Sequence, residues 1–408
     1  MMIPTRFIPD PRRGGPAVRF RWLLGKRGLP TEAQLARFGE LLMAGDPLDA
    51  PVAAWAAEIG FARSRALVDQ ALDHGIDQVP DAPPFLRDLF AQLDREPTWL
   101  DRSLLEAGQQ AICRTGVVGT LIMRDVALMG GYGNAAINKP LVFTGALADG
   151  AGRRTSETRA FAVDATCPGA MERFGKGFKT TVRVRFLHAL LRHRIQHHPD
   201  WRSQDWGLPI NQADMLATNL AFSVGFLTGM RVLGFRFSAR EREGILHLWR
   251  YIGYLMGIDE RILVTRESEG LRILYTVLIS QPAADDDTRT LARALMNEPF
   301  EHAGKSRLGQ LLAEAQIRAH NGISHFFLGS EAYRNLGLPT HRRWTWLPLA
   351  LFPVVSTAET VRQLTPFGNR LFLAVGLRWR QRWIQGLLRG QQAGYQPVAQ
   401  LARDRQRA

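Results

Sequence analysis

Apolar residues recur at three- and four-residue spacing along almost the whole chain, and that period dictates helices. Thr31 caps a run in which Leu35, Phe38 and Leu42 share a face, closed by Gly45, Asp46 and Pro47. Ser64 opens a second run, with Leu67, Ala71 and Leu72 inward, ended by Gly75. Pro84 starts a helix over 85–93, and the break at 95–99 precedes another over 104–112. Further helices are expected at 156–165, 178–196, 214–232, 238–256, 270–280 and 306–327. Strand alternation is nearly absent, since its best example, at 182–184, lies inside a longer helical period. No internal repeat or low-complexity linker interrupts the pattern, and 281–287 reads as a surface loop. The expectation is an all-α protein with one large helical domain over 31–370. A basic N-terminal extension over 1–30 and a basic C-terminal tail over 371–408 flank it.

Composition removes several classes. The chain has 408 residues, 46% hydrophobic and 22% charged, so it can bury enough apolar surface to offset ordering entropy and is not disordered. Its two cysteines, Cys113 and Cys167, exclude a disulfide framework and a four-cysteine metal site. No C-x-x-C-H occurs, which removes covalent haem attachment, and no H-E-x-x-H, which argues against a zinc hydrolase. The N-terminal 28 residues scatter Pro4, Pro9, Pro11 and Pro16 among arginines without an apolar core. That is no secretory signal, and the cytoplasm is the expected compartment. No apolar run reaches the roughly 18–20 residues of a spanning helix.

The formal net charge is +14. Arg19, Arg21, Lys26 and Arg27 surround Phe20, Trp22, Leu23 and Leu24, and Arg378, Arg380, Arg382 and Arg389 interleave with Trp379, Trp383, Leu387 and Leu388. Basic segments with tryptophan suit an anionic membrane surface or a nucleic-acid backbone. Solvated helix faces with snorkelling arginines are the plainer alternative. Peripheral membrane contact through the basic ends is retained as an expectation, and nucleic acid is not favoured.

Two segments carry candidate chemistry. In the helix expected at 178–196, Val184, His188, Leu191 and Ile195 share a stripe flanked by Arg185 and Arg192. A neutral imidazole on such a face can ligate iron axially, and neighbouring guanidinium groups match haem propionates. A hydrogen-bonded core histidine fits the same pattern. Upstream, Arg154, Glu157 and Thr158 stand at i, i+3 and i+4 and share a face. They can line a polar patch that moves a proton or orients a ligand; a helix N-terminus capped by Thr155 or Ser156 explains them equally.

Taken together, R-x-x-E-T-x-x-F (Arg154, Glu157, Thr158, Phe161) followed by VRFLHALLR (Val184 to Arg192, with His188) resembles the superfamily of rubber oxygenases and mycophenolic-acid-pathway B oxygenases, which includes the latex clearing proteins. GDP (45–47), EPTW (96–99), GLPINQAD (207–214) and LWRYIGYLMGI (248–258) extend the likeness over about 31–280. The resemblance implies an all-helical fold with a globin-like core holding one non-covalent haem b (iron protoporphyrin IX). His188 matches the proximal iron ligand, and Arg154 and Thr158 match distal polar residues. The implied activity is that of a dioxygenase cleaving a carbon–carbon double bond of an isoprenoid, a polyisoprenoid or another apolar unsaturated molecule, with dioxygen as co-substrate. Arg185 and Arg192 are then expected propionate partners.

This chain departs from latex clearing proteins in carrying Glu157 where they have a lysine, and in lacking any acidic residue over 130–145. Both departures point to Glu157 as an acid/base or as the partner of Arg154, and to a substrate smaller than polyisoprene. A non-catalytic helical protein docking through its basic ends, and a haem protein with a peroxidase or sensing role, are the competing classes.

Overall fold

The computed structural model describes residues 2–144, 151–282 and 284–387, with side chains throughout apart from residues 49, 151–155 and 387. Every regular element among the described residues is helical. The helices used below are α1 (Pro16–Gly28), α2 (Arg102–Arg114), α3 (Ala151–Ala165), α4 (Lys176–Gln196), α5 (Gln212–Val232), α6 (Ala239–Leu255), α7 (Glu267–Ser280), α8 (Asp286–His302), α9 (Arg307–Leu328), α10 (Leu347–Leu364) and α11 (Gly368–Leu387).

Local chemistry sets many of the boundaries. Thr31 and Gln34 close a reciprocal capping box before the helix Glu32–Leu41, and Ser238 and Glu241 do the same for α6, each satisfying donors that a helix start leaves unpaired. Other expectations fail locally. Ser64 does not open a helix; it lies one turn inside the helix Phe61–His74 and bonds back to the carbonyl of Phe61. Thr155 and Ser156 lie within α3 rather than capping it. Asp285 caps α8, which begins inside the stretch expected as a loop.

The central pair is α2 and α6, which cross at Gly108 and Gly244. A Cβ on Gly108 would sit 2.1 Å from the Gly244 carbonyl oxygen, so only glycine allows the two backbones to approach this closely. At one end of this pair, Arg114 bonds Glu241 and Glu359, each at 2.9 Å, tying α2 and α6 to α10. At the other, Arg250 lies 3.8 Å over the ring of Trp99, whose indole N–H donates to Glu260 at 2.6 Å.

α5 is by length and composition apolar enough to cross a membrane, against the expectation that no apolar run reaches spanning length, yet 61% of its apolar window is buried inside the protein. It is a core rod, interrupted by a π-helical turn over Ala221–Gly225. Another π-helical turn, Met123–Leu128, is the first along the chain and packs against this second one. π-turns widen a helix locally and cluster at functional sites, and these two form adjoining parts of one wall.

The expected terminal boundaries do not separate free ends from the domain. Within 1–30, Arg6 is buried against Asp214 at 2.7 Å, and α1 packs Ala17 into a cluster with Tyr275 and Ile279 of α7. Beyond 370, α11 lies against α2 and buries Arg380, whose guanidinium donates to Thr166 at 2.5 Å. Substituting Gly244→Ala places a Cβ 2.6 Å from the Gly108 nitrogen and forces the α2–α6 crossing apart. A stability loss of about 1–3 kcal/mol in urea denaturation is expected.

Candidate functional site

A cavity of about 1130 Å³ runs between α4, α5, α3, the first π-turn and α1. That exceeds the roughly 300–1,000 Å³ of ordinary small-molecule pockets, and the lining is mainly apolar. The two π-turns contribute Val126, Ala127, Ala221 and Phe222 to the wall. Gly131 also lines it, and a Cβ built there meets nothing within 4 Å, so the wall has room for a flat group to lie against backbone.

Three expected site residues share this cavity. From α4, Val184, Leu187, His188 and Leu191 reach it. Ile195, expected on the same stripe, instead packs with Phe143 and Trp201 in a separate cluster. From α3 come Glu157, Thr158 and Phe161. The structure therefore brings the His188 imidazole, the Glu157 carboxyl and the Thr158 hydroxyl to a single, mainly apolar chamber. Arg154 stands one turn before Thr158 on the same helix, and its side chain lies outside the described residues.

Arg185 and Arg192 are corrected. Neither lines the cavity, because both guanidinium groups are engaged elsewhere. Arg185 makes a two-pronged pair with Asp46, Nε to Oδ2 at 2.6 Å and Nη2 to Oδ1 at 3.0 Å. Arg192 donates from Nε to the carbonyls of Pro209 and Ile210, each at 3.0 Å. They hold α4 against its neighbours and so fix where His188 points. Gly257 belongs to the same joint. Its φ is +86°, and a Cβ would fall 2.2 Å from Asp46 Oδ2 and 2.7 Å from Arg185 Nε. Gln212 completes it, donating to the carbonyls of Gly45 at 3.1 Å and Gly257 at 2.9 Å.

Other functional positions escaped the sequence reading. Trp249 and Asp214 line the cavity, and each presents a buried polar atom with no bonding partner among the described residues, the indole Nε1–H and the carboxylate Oδ1. A buried N–H that bonds nothing marks a place where a bound molecule would accept. Phe222 stacks on Trp249 at 5.4 Å and 18°, and Asn219 donates to the Trp249 carbonyl at 2.8 Å, so the ring is fixed. Both lie inside GLPINQAD and LWRYIGYLMGI, but nothing in the local pattern marks either as facing a cavity.

Directly behind this wall lies a buried ionic cluster. The first π-turn sends Val126 and Ala127 into the cavity and Arg124 and Asp125 the other way. Arg124 bonds Asp125 at 2.5 Å and Glu298 of α8 at 3.3 Å. α3 repeats the division: Glu157 and Thr158 face the cavity, while Arg159 pairs closely with Glu298 and lies 5.3 Å from the ring of Trp383. Burial, aided by Arg124, pushes Arg159 down to about 9, which leaves it protonated at neutral pH. His320 of α9 bonds Asp125 at 2.7 Å through Nδ1. Burial works to raise Asp125, but His320 and Arg124 together overcome it and hold the carboxyl below its usual range. Burial lowers His320, so its ring is neutral and its Nδ1–H is assigned as donor to Asp125.

Comparison with known proteins identifies the family and the fold. Residues 118–362, more than half of the chain, match the family described as ER-bound oxygenase mpaB/B'/rubber oxygenase, catalytic domain. A rubber oxygenase of Streptomyces sp. (strain K30) is 27% identical over 233 residues, 55% of this chain and 54% of that protein, so the chain spans about half the length of this curated relative. The fold is similar to that of latex clearing protein in its closed state, with a TM-score of 0.66 over 84% of this chain and 91% of that one at 19% identity.

The ionic cluster predicts an acid-sensitive fold. An unfolded His320 takes up a proton near pH 6.5 while the buried ring resists it, so the unfolded state binds more protons and stability falls as pH drops below that value. Asp125 adds a later loss, because its contribution is present above 3.8 and disappears as pH falls through its depressed folded value. His320→Gln removes the first loss and lessens the second, which lies at lower pH. The difference in Tm between wild type and variant should therefore narrow from about pH 8 to about pH 5.5; a constant difference contradicts a neutral buried His320.

Proposed function

The chain belongs to the MpaB/rubber oxygenase family, and from that premise we propose that it is a haem b-dependent dioxygenase cleaving a carbon–carbon double bond of an apolar, isoprenoid-type substrate. The observation that carries this reading is the placement of His188, Glu157 and Thr158 on one large apolar cavity. The residues present fit the cofactor. Among the described residues no cluster of three or more His, Cys, Asp or Glu could cage a bare metal ion. A single helix-borne imidazole suits an iron whose other in-plane ligands belong to a porphyrin. Trp249 Nε1–H is a buried donor suited to a ligand oxygen, such as a propionate or a substrate carbonyl.

When bound, the haem would supply the iron that activates dioxygen for insertion across the double bond, giving two carbonyl products. The protein's own part is positional and electrostatic. His188 would hold the iron from α4, and the Arg185–Asp46 joint keeps that helix from rotating. Phe161, Leu187, Leu191 and Phe222 exclude water and bind the hydrocarbon. Thr158 offers a hydroxyl donor, and Glu157 holds or moves a proton beside the reacting carbons. A carboxyl in the place of the latex clearing proteins' lysine separates this site from theirs and supports a substrate smaller than polyisoprene.

Protein produced with ample haem should show a Soret band, lost in His188→Ala while the helical circular dichroism persists; a colourless wild type contradicts the reading. Glu157→Gln should retain haem and lose about 10²-fold in kcat, measured by product formation from short olefinic isoprenoids. With labelled dioxygen, both atoms should appear in the carbonyl fragments. Absence of label would favour the peroxidase or sensing role.

A further inference from the structure

α10 and α11 leave an unusual surface. On α10, Leu349, Phe352, Val354, Val361 and Leu364 are all exposed. The turn to α11 exposes Phe367, and α11 continues the apolar surface with Leu371 and Val375. Leu364 is 78% exposed and Phe367 70%, values that a folded chain rarely grants to large apolar side chains so close together. Charge is distributed to match. Over 341–387 the sole acidic residue is Glu359, which is buried against Arg114 and Arg362. Exposed arginines stand at both ends, Arg342 and Arg343 before α10, and Arg378 and Arg382 on the outer face of α11.

We propose that this α10–α11 face docks onto the surface of a lipid bilayer carrying anionic headgroups. The apolar centre would sink into the acyl boundary while the flanking arginines reach phosphates, the arrangement that binds interfacial helices. The helices lie on the bilayer rather than crossing it, because their inner faces are already packed against the protein through Glu359, Arg362 and Arg380. A second copy fits poorly: self-pairing of this face would bring exposed arginines together, with no exposed carboxylate over 341–387 to answer them. The surface overlaps the basic C-terminal segment that the sequence suggested, but its apolar centre lies before it. Trp379 and Trp383 stack on each other at 5.6 Å and are half-buried, so the contact is carried by 346–375 with arginine flanks. It holds whatever the cavity binds.

Sedimentation with vesicles of equal parts phosphatidylcholine and phosphatidylglycerol tests this on the full chain. Wild type should pellet with these vesicles and far less with phosphatidylcholine alone, and the binding should weaken with salt. Leu364→Glu/Phe367→Glu alters two highly exposed positions and should lower the partition coefficient at least about tenfold with an unchanged melting curve. Arg378→Gln/Arg382→Gln should reduce both binding and its salt dependence. Wild type left in the supernatant, wild-type binding by the glutamate variant, or a dimer that the glutamate variant dissociates would each overturn the proposal.

Discussion

A wall one helix thick separates an oily chamber from a set of buried charges, and the architecture depends on that wall standing still. The Glu298 carboxylate joins Arg124 of the first π-turn to Arg159 of α3, so the two segments that line this side of the cavity are fastened from behind. Asp125 and His320 complete the arrangement and tie in α9. Two guanidinium groups and two carboxylates balance, which limits the desolvation cost of burying them, whereas removing any single partner would strand a charge away from water. A large cavity loses the packing that would otherwise fill it, and fixed ionic struts outside its lining are one way to keep the walls from collapsing inward.

The opposite side is secured by different means. Three short segments of no obvious chemistry, GDP, INQ and MGI, meet at the Arg185–Asp46 pair. Each supplies one indispensable feature: the carboxylate of Asp46, the amide of Gln212 and the missing side chain of Gly257. The joint lies one turn from His188, so its geometry is transmitted to the imidazole with little slack. Arg185 and Arg192 thus serve the site without touching its contents.

Helical periodicity made the fold class legible, and caps such as Thr31 and Ser238 marked starts because their hydroxyls satisfy backbone donors locally. What local pattern could not reveal was tertiary. Ser64, Thr155 and Ser156 have capping chemistry, but packing carried the helices past them. The ends looked detachable because they are basic and proline-rich, although Arg6 and Arg380 are each held by a partner far away in sequence. His188, Glu157 and Thr158 could be grouped from the order of two motifs. Trp249 and Asp214 could not, since a polar group in an apolar helix acquires meaning only when the cavity it faces is known. Arg185 and Arg192 misled for the converse reason: proximity to His188 in sequence did not place them beside it in space.

If the chamber is the cofactor and substrate site, separate from the α10–α11 face, then His188 must carry iron. An anomalous difference map recorded at the iron edge, from crystals of protein supplied with haem, tests that claim directly. The account predicts one strong peak inside the cavity beside the His188 imidazole. An imidazole engaged only by a neighbouring backbone carbonyl, with no iron peak in the chamber, would contradict it.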